Sequence, residues 1–220
     1  MKKYIVEFVG TFALCFVGIL AIAHLGEVPG GLLGIALAHG LVIVAFGTSA
    51  GAISGGHLNP SVTLGFLVTK RISLADAGLY IVSQLFGAVA GAFFAGAALP
   101  SRPDIVKNGT PALGGGIPMS AGFIAEIIAT FFLVWVIFGT AVEERSPKVG
   151  ALMIGLTVTL DILAIGPITG AAMNPARWMG PALITGNLGD FVLYWVGPTV
   201  GAILAAVLWN GVLLSPDKEA

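Results

Sequence analysis

The sequence predicts an all-α membrane protein with six transmembrane helices and two shorter, interrupted segments. Of its 220 residues, 57% are hydrophobic and 10% are charged, and the mean hydropathy is +1.00. Soluble domains carry about 25% charged residues. A helix needs about 20 apolar residues to cross the hydrocarbon core of a bilayer. Six apolar stretches approach or exceed that length, and they cover residues 4–23, 32–50, 77–98, 121–141, 149–165 and 191–214.

The start of the chain resembles a signal peptide, because Lys2 and Lys3 precede an apolar run. That run continues to Ala23 without a clear polar region and cleavage site, so we predict a retained first span. It contains Cys15, the one cysteine of the chain, which permits no internal disulfide. The net charge of −1 provides no electrostatic footprint for nucleic acid, and we expect no such partner.

Two related motifs define the short segments. Residues 54–61 read SGGHLNPS and residues 169–177 read TGAAMNPAR, and Asn174 lies 115 residues after Asn59. Asn is a good N-cap, and Pro suits the first position of a helix. The apolar runs that follow, 62–68 and 182–185, are too short to span a bilayer. A matched pair of interrupted segments in two halves of a chain predicts a permeation site near the membrane midplane.

The basic residues predict the orientation. With six spans, the termini share one side of the membrane with the loops near Lys70 and Arg145. The other side holds Arg102 and Lys107. The positive-inside rule therefore predicts that both termini are cytoplasmic, in a plasma or inner membrane. The side with the termini has seven basic residues: Lys2, Lys3, Lys70, Arg71, Arg145, Lys148 and Lys218.

An internal repeat indicates one channel domain, residues 1–220, made of two homologous halves. AEIIATF at 125–131 resembles VEFVGTF at 6–12, and the spacing of Tyr80, Gln84 and Gly87 matches that of Tyr194, Pro198 and Gly201. The halves cover about residues 1–100 and 117–216, joined by a polar loop at 100–118. Each half has three spans, so the second half enters from the opposite side and the two form an inverted 3+3 repeat.

Opposed short helices would point their N-termini at a common point, where each contributes about half a positive charge. The side chains of Asn59 and Asn174 offer N–H donors at the same place. Such a site repels cations and orients neutral molecules that have an acceptor oxygen. We predict no metal and no cofactor.

These motifs resemble those of the major intrinsic proteins, the aquaporins and glycerol facilitators, along essentially the whole chain. The resemblance implies a pore through each subunit of a homotetramer and passive conduction rather than enzymatic activity. It assigns the pore motifs to Asn59, Pro60 and Ser61 and to Asn174, Pro175 and Ala176. Ser61 stands where the family usually has Ala. Because its hydroxyl can turn toward the free amides of the short helix, we expect a tolerated variant.

The resemblance also implies a selectivity filter of His39, Ile162, Ala171 and Arg177. This set is most similar to that of plant tonoplast intrinsic proteins, which the resemblance associates with water and ammonia. Glycerol-conducting members use two aromatics and a Gly, and tend to have Asp after the Arg, where this chain has Trp178. We therefore expect water to be the main solute, with ammonia and other small neutral solutes left open.

Several ionisable residues have two interpretations. Glu7 and Glu126 are intramembrane carboxylates that fit either a proton relay or anchors for the loop backbone, and the resemblance favours anchors. His39 is a core residue or a pore residue whose titration makes permeability depend on pH. His57 fits a loop anchor, or a residue facing the cytoplasmic vestibule, better than a gate. Asp161 has three possible environments: a pairing with a loop amide, a position facing a tetramer axis, or a position that reaches the pore.

Three alternatives remain for function. A glycerol or small-solute facilitator has the same architecture, and secondary transporters also use inverted repeats and broken helices. The short segments carry no coordinating acid, which disfavours ion-coupled transport. A junction-forming relative with a closed pore is the third. No sequence pattern of a hydrolase or metalloprotease is present.

Overall fold

The computed structural model describes residues 1–214 of the chain, so Lys218 and residues 215–216 of the predicted second repeat lie outside the described residues. Within residues 1–214, six helices have the length and composition to cross a membrane. They confirm the six predicted spans. The helices are, in chain order, α1 (Lys2–Leu25), α2 (Gly31–Ser54), α3 (Pro60–Val68), α4 (Leu74–Ala98), α5 (Ile105–Asn108), α6 (Met119–Ile137), α7 (Gly150–Thr169), α8 (Pro175–Thr185) and α9 (Phe191–Leu208).

The observed spans differ from the predicted ones mainly at their ends. α2 continues to Ser54 rather than ending at residue 50, because Gly55 in the left-handed conformation closes it. α6 and α9 each continue into one turn of π-helix, Phe138–Val142 and Trp209–Leu213. The short helices α3 and α8 begin at the predicted Pro residues.

The six long helices form two groups of three. α1 packs against α2 and α4, α6 packs against α7 and α9, and the contact between α2 and α7 joins the groups. Each short helix crosses to the other group, since α3 packs on α9 and α8 packs on α4. The N-termini of α3 and α8 therefore meet between the two groups.

Glycine allows the helices within each group to approach closely. A Cβ on Gly87 would overlap the carbonyl oxygen of Phe8, and a Cβ on Gly201 would overlap that of Ile127. The glycine pairs 87/91 and 197/201 are therefore sites where helices cross closely. Between α8 and α4, a Cβ on Gly180 would lie 2.6 Å from the carbonyl carbon of Ala88.

The predicted loop at 100–118 contains a turn of helix, α5, that the sequence did not predict. Ile105 and Val106 are buried, in a cluster with Ile19 of α1 and with Ala92 and Ala95 of α4. The loop is also tied to α1, because the Arg102 guanidinium donates to the carbonyl of Ala23. Apolar burial holds the segment over one end of the helix bundle.

Candidate permeation site

The backbone has the same conformation before each short helix. Gly55 and Gly170 have φ of +87° and +74°, and Leu58 and Met173 have φ of +49° and +50°. This left-handed region is costly for residues with a Cβ. At Gly170 a Cβ would also lie 2.8 Å from the Cα of Pro111. The unusual conformation turns successive backbone N–H groups toward a buried carboxylate in each half.

Glu7 of α1 receives the N–H groups of the first segment. Its Oε1 accepts from the hydroxyl of Ser54 at 2.6 Å and from the backbone N–H of His57 at 2.9 Å. Its Oε2 accepts from the N–H of Leu58 and from Nε2 of Gln84, both at 2.7 Å. The carboxylate is fully buried. These bonds satisfy backbone groups that would otherwise be orphaned within the membrane.

Glu126 of α6 has the corresponding position in the second half. Its Oε1 accepts from Thr169 Oγ1 at 2.7 Å and from the N–H of Ala172 at 2.9 Å, and its Oε2 accepts from the N–H of Met173 at 2.7 Å. Tyr194 adds a bond at the same place, donating to the carbonyl of Thr169 at 2.6 Å. Both carboxylates thus lie within hydrogen-bonded networks and outside the central cavity.

The two motif asparagines bond to each other's segments. Asn59 accepts from the N–H of Ser61 at 2.8 Å, and its Nδ2 donates to the carbonyl of Met173 at 2.9 Å. Asn174 accepts from the N–H groups of Ala176 and Arg177, and its Nδ2 donates to the carbonyl of Leu58 at 2.8 Å. Each amide nitrogen carries a second hydrogen, and both asparagines line the central cavity.

This cavity has a volume of about 330 Å³ and runs between the two groups of helices. All four predicted filter residues line it, whereas Pro60, Ser61, Pro175 and Ala176 do not. Much of its wall is apolar. The apolar lining includes Leu14, Ile43, Val62, Phe66, Leu133, Ile137, Ile154, Val158 and Met173.

Arg177 and His39 meet at one level of the cavity. The Nε and Nη2 atoms of Arg177 are each 3.4 Å from His39 Nε2, and Nη1 donates to the carbonyl of Gly109 at 2.9 Å. His39 Nδ1 lies 2.8 Å from the carbonyl of Ile35. Because one ring nitrogen faces a carbonyl and the other faces a guanidinium, these contacts suit the neutral ring. Arg177 is 3% exposed and is the one formally charged side chain in the described cavity lining.

The Ser61 hydroxyl does not take the partner that its position in the sequence offered. Its hydroxyl lies 3.2 Å from Thr199 Oγ1 on α9 rather than against the free amides of α3, because the Asn59 side chain already occupies that position. His57 lines the cavity, and its Nδ1 lies 3.1 Å from the Thr63 hydroxyl. Trp178 points away from the cavity and stacks on Tyr194 at 5.4 Å.

Within the described part of the chain, Asp161 does not have the loop amide partner that was one of its three predicted environments. It is 5% exposed, so it does not lie on the outer surface, and it is absent from the cavity lining. Within residues 1–214 its Oδ2 atom is buried without a hydrogen-bond partner, so no loop amide reaches it.

Sequence reasoning missed several groups at the site. The carbonyl of Gly109, which holds Arg177, lies in the loop that has no counterpart in the repeat, so no signal identified it. Gln84 was visible as part of a repeat, but nothing indicated that its amide reaches Glu7 and the hydroxyl of Thr63.

The fold and this site define a class: a helical integral membrane protein in which two half-helices meet at a narrow passage. The comparisons with known proteins give the family. The family described as Major intrinsic protein matches residues 1–209, and the chain belongs to it.

Individual relatives agree with that assignment. The chain is 35% identical to aquaporin TIP4-4 from Zea mays over 226 residues, which cover 98% of this chain and 88% of that protein. It is 38% identical to probable aquaporin TIP3-2 from Arabidopsis thaliana over 238 residues, covering 100% and 86%. Among solved structures, the aquaglyceroporin from Plasmodium falciparum is similar with a TM-score of 0.85, 25% identity and 96% coverage of each chain.

Proposed function

We propose that this protein is a passive channel that conducts water across a membrane, excludes ions and catalyses no reaction. The observation that carries the proposal is the cavity in which the paired asparagines and the Arg177–His39 contact face one passage. The family supports it, since relatives over nearly the whole chain are named aquaporins.

The proposed mechanism uses separate polar and apolar surfaces. Asn59 and Asn174 present N–H donors where the positive ends of α3 and α8 meet, which orients a water oxygen and opposes a cation. The apolar wall, including Val158 and Leu133, offers few other partners, so water passes without strong binding. Arg177 adds a full positive charge, and His39, Ile162 and Ala171 complete the proposed selectivity filter.

The wider organisation is part of the same proposal. The matching bonds of Glu7 and Glu126 and the matching φ angles of the two segments support an inverted repeat that forms one channel domain. Family membership supports a homotetramer with one passage in each subunit. The excess of basic residues on the side of the termini supports a cytoplasmic location for both ends, in a plasma or inner membrane.

Water is the proposed main solute, and ammonia is the second. With His39 and Ile162 in place of a pore-lining aromatic, the passage is partly polar and partly apolar at this level. A small neutral solute can shed water there more easily than in a fully polar ring. Glycerol is the competing candidate, because the solved neighbour is an aquaglyceroporin.

Stopped-flow light scattering on proteoliposomes tests the proposal. An impermeant osmolyte should cause rapid shrinkage with a low activation energy, well above the rate of empty liposomes. Ile162→Trp places an indole in the cavity and should return the rate to that of empty liposomes. The matched control is Leu160→Trp on the same helix, where the side chain is 63% exposed and faces away from the passage; it should conduct normally.

Parallel uptake assays separate the candidate solutes. We expect ammonia uptake above that of empty liposomes and no glycerol uptake. Rapid glycerol uptake would replace the proposal with a glycerol facilitator, and saturable, slow flux would indicate a transporter. Water flow no faster than that of empty liposomes, from well-folded protein, would overturn the channel proposal.

A further inference from the structure

Asp161 is the one carboxylate within the described membrane helices that has neither a donor network nor a cation. Glu7 and Glu126 each accept several hydrogen bonds, and Asp76 at the start of α4 pairs with Lys3 at 2.7 Å. Asp161 is 5% exposed, and its Oδ2 has no partner among residues 1–214. Intramembrane carboxyl groups are costly, so one without a structural partner indicates a function.

The helices around Asp161 supply no compensating charge. α7 packs against α2, α6 and the π-helical turn Phe138–Val142. The only ionisable side chain of α2 is His39, and the only one of α6 is Glu126, while the π-helical turn has none. Glu126 is the charged group that acts electrostatically on Asp161, and it has the same sign. Arg177 directs its guanidinium to Gly109 and His39.

The position of Asp161 relates it to the passage. Ile154, Val158 and Ile162 of α7 line the cavity at helical spacing. Residue 161 precedes Ile162 and lies about 60° around the helix from Val158, at the edge of that lining stripe. The position 115 residues earlier, which corresponds in the other half, is occupied by Phe46. The acidic residue is therefore a feature of the half that contains Arg177.

We propose that Asp161 is protonated and therefore uncharged, and that its protonation maintains the exclusion of cations beside Arg177. A buried carboxylate with no cation and no donor takes up a proton from water rather than remaining charged in an apolar environment. An ionised Asp161, one residue from Ile162, would oppose the positive potential of Arg177 in a region of low dielectric constant. Asp161 is thus a specificity-determining residue that acts through the charge of the passage without lining it.

Infrared spectroscopy of the reconstituted protein tests the protonation directly. At neutral pH the wild-type protein should show the carbonyl stretching band of a protonated carboxylic acid, with the expected shift in D₂O. Asp161→Asn should lose this band. The matched control Asp76→Asn, which removes an ion-paired aspartate, should retain it. Identical spectra for the wild type and Asp161→Asn in this region would overturn the proposal.

Potassium leak from the same liposomes tests the consequence for ions, which rests on the proposed channel function. We expect wild-type protein and Asp161→Asn to be ion-tight at neutral pH, because neither has a charge at position 161. As the pH is raised, the wild type should begin to leak in the range where its infrared band disappears, and Asp161→Asn should not leak. A band that persists, without leak, at every pH also supports the proposal.

Three results would contradict the inference that the proton on Asp161 maintains the exclusion of cations. These are a leak through Asp161→Asn at neutral pH, loss of the wild-type band with no leak, and equal alkaline leaks through both proteins. Water flux measured on the same liposomes separates the two proposals. Absent water flux would remove the channel function, whereas the infrared result would still decide whether Asp161 carries a proton.

Discussion

The two segments that lead into the short helices α3 and α8 have the same backbone conformation, but different hydrogen bonds hold them in place. In the first half, Glu7 accepts four hydrogen bonds, the fourth from Gln84 of α4. In the second half, Glu126 accepts three, and the residue that corresponds to Gln84 is Pro198, which has no side-chain donor. The second segment instead carries Arg177, whose counterpart in the first is Val62.

This difference indicates that the two segments, although alike in backbone conformation, have different roles. The first is tied more strongly to its own group of helices. The second has a weaker anchor, and its Arg177 bonds to residues outside its own half, namely His39 of α2 and Gly109 of the connecting loop. We infer that, in the proposed channel, selectivity depends more on the second segment and stability more on the first. Each of the following variants tests or removes one part of that contrast.

Removal of either anchor should have the largest effect on folding. Glu7→Ala leaves four donors without their acceptor, two of them buried and two, on Ser54 and His57, partly buried. Glu126→Ala leaves three buried donors, and each unsatisfied buried group costs on the order of 1–3 kcal/mol. We expect both to lower the free energy of unfolding by several kcal/mol, with Glu7→Ala the more severe by one such bond. Denaturation in mixed micelles, followed by tryptophan fluorescence, measures the difference.

Glu144→Ala is the control for the anchors, since Glu144 is exposed, and its stability should be unchanged. Glu7→Asp and Glu126→Asp retain the carboxylate but shorten it, so they should give smaller losses in the same order. An equal or greater loss at Glu126 would refute the conclusion that the first anchor is the stronger one.

Arg177→Val makes the two segments alike at the position where they differ most in charge. Water should still pass, because the asparagines and the apolar wall are retained. Proton flux should increase by about tenfold or more, which corresponds to a barrier lower by about 1.4 kcal/mol, because the one formal charge in the described lining is lost. A pH-sensitive dye inside proteoliposomes measures the flux.

Arg71→Val is the matched control, because Arg71 is an exposed arginine that bonds to Asn210 away from the cavity. It should leave proton exclusion intact. If Arg177→Val were as proton-tight as the wild type, the helix N-termini and asparagines alone would account for exclusion.

Gln84→Leu makes the first anchor resemble the second by removing its fourth donor. We expect a loss of about 1 kcal/mol in the free energy of unfolding and no change in water permeability, since Gln84 lies outside the cavity lining. The same substitution in the Glu7→Ala background should cost less, because the carboxylate acceptor is already absent and only the bond to the Thr63 hydroxyl is lost. Equal losses in both backgrounds would show that the bond to Glu7 is not the cause.

Local sequence signals were sufficient for much of this architecture. Apolar length predicted the six spans, and the N-cap preference of Asn with Pro at the next position predicted where α3 and α8 begin. Symmetry of the motifs identified Glu7 and Glu126 as related residues. Each of these signals depends on the residue itself or on a regular spacing.

Contacts between distant residues were not predictable in the same way. The bond between Arg177 and the Gly109 carbonyl depends on how a non-repeated loop folds over the bundle, and backbone carbonyls leave no trace in sequence. The turn α5 was missed because its four residues are helical only by burial against α1 and α4. The lack of a partner for Asp161 was likewise not predictable, because it depends on which side chains the neighbouring helices place beside it.

Ser61→Ala, which gives both motifs the same three residues, should have the smallest effect. It removes the hydroxyl that lies 3.2 Å from Thr199 Oγ1, so α3 loses one side-chain link to α9. A double-mutant cycle with Thr199→Val should give a coupling free energy of about 0.5–1.5 kcal/mol, typical of a neutral hydrogen bond. The matched control is Thr185→Val, because that hydroxyl bonds within its own helix, to the carbonyl of Pro181; its coupling to Ser61→Ala should be zero. Water permeability should stay at the wild-type rate, since the Ser61 side chain lies outside the cavity lining. A change in permeability with no coupling to Thr199 would mean that Ser61 acts on the passage itself, and that the serine is a third functional difference between the two segments.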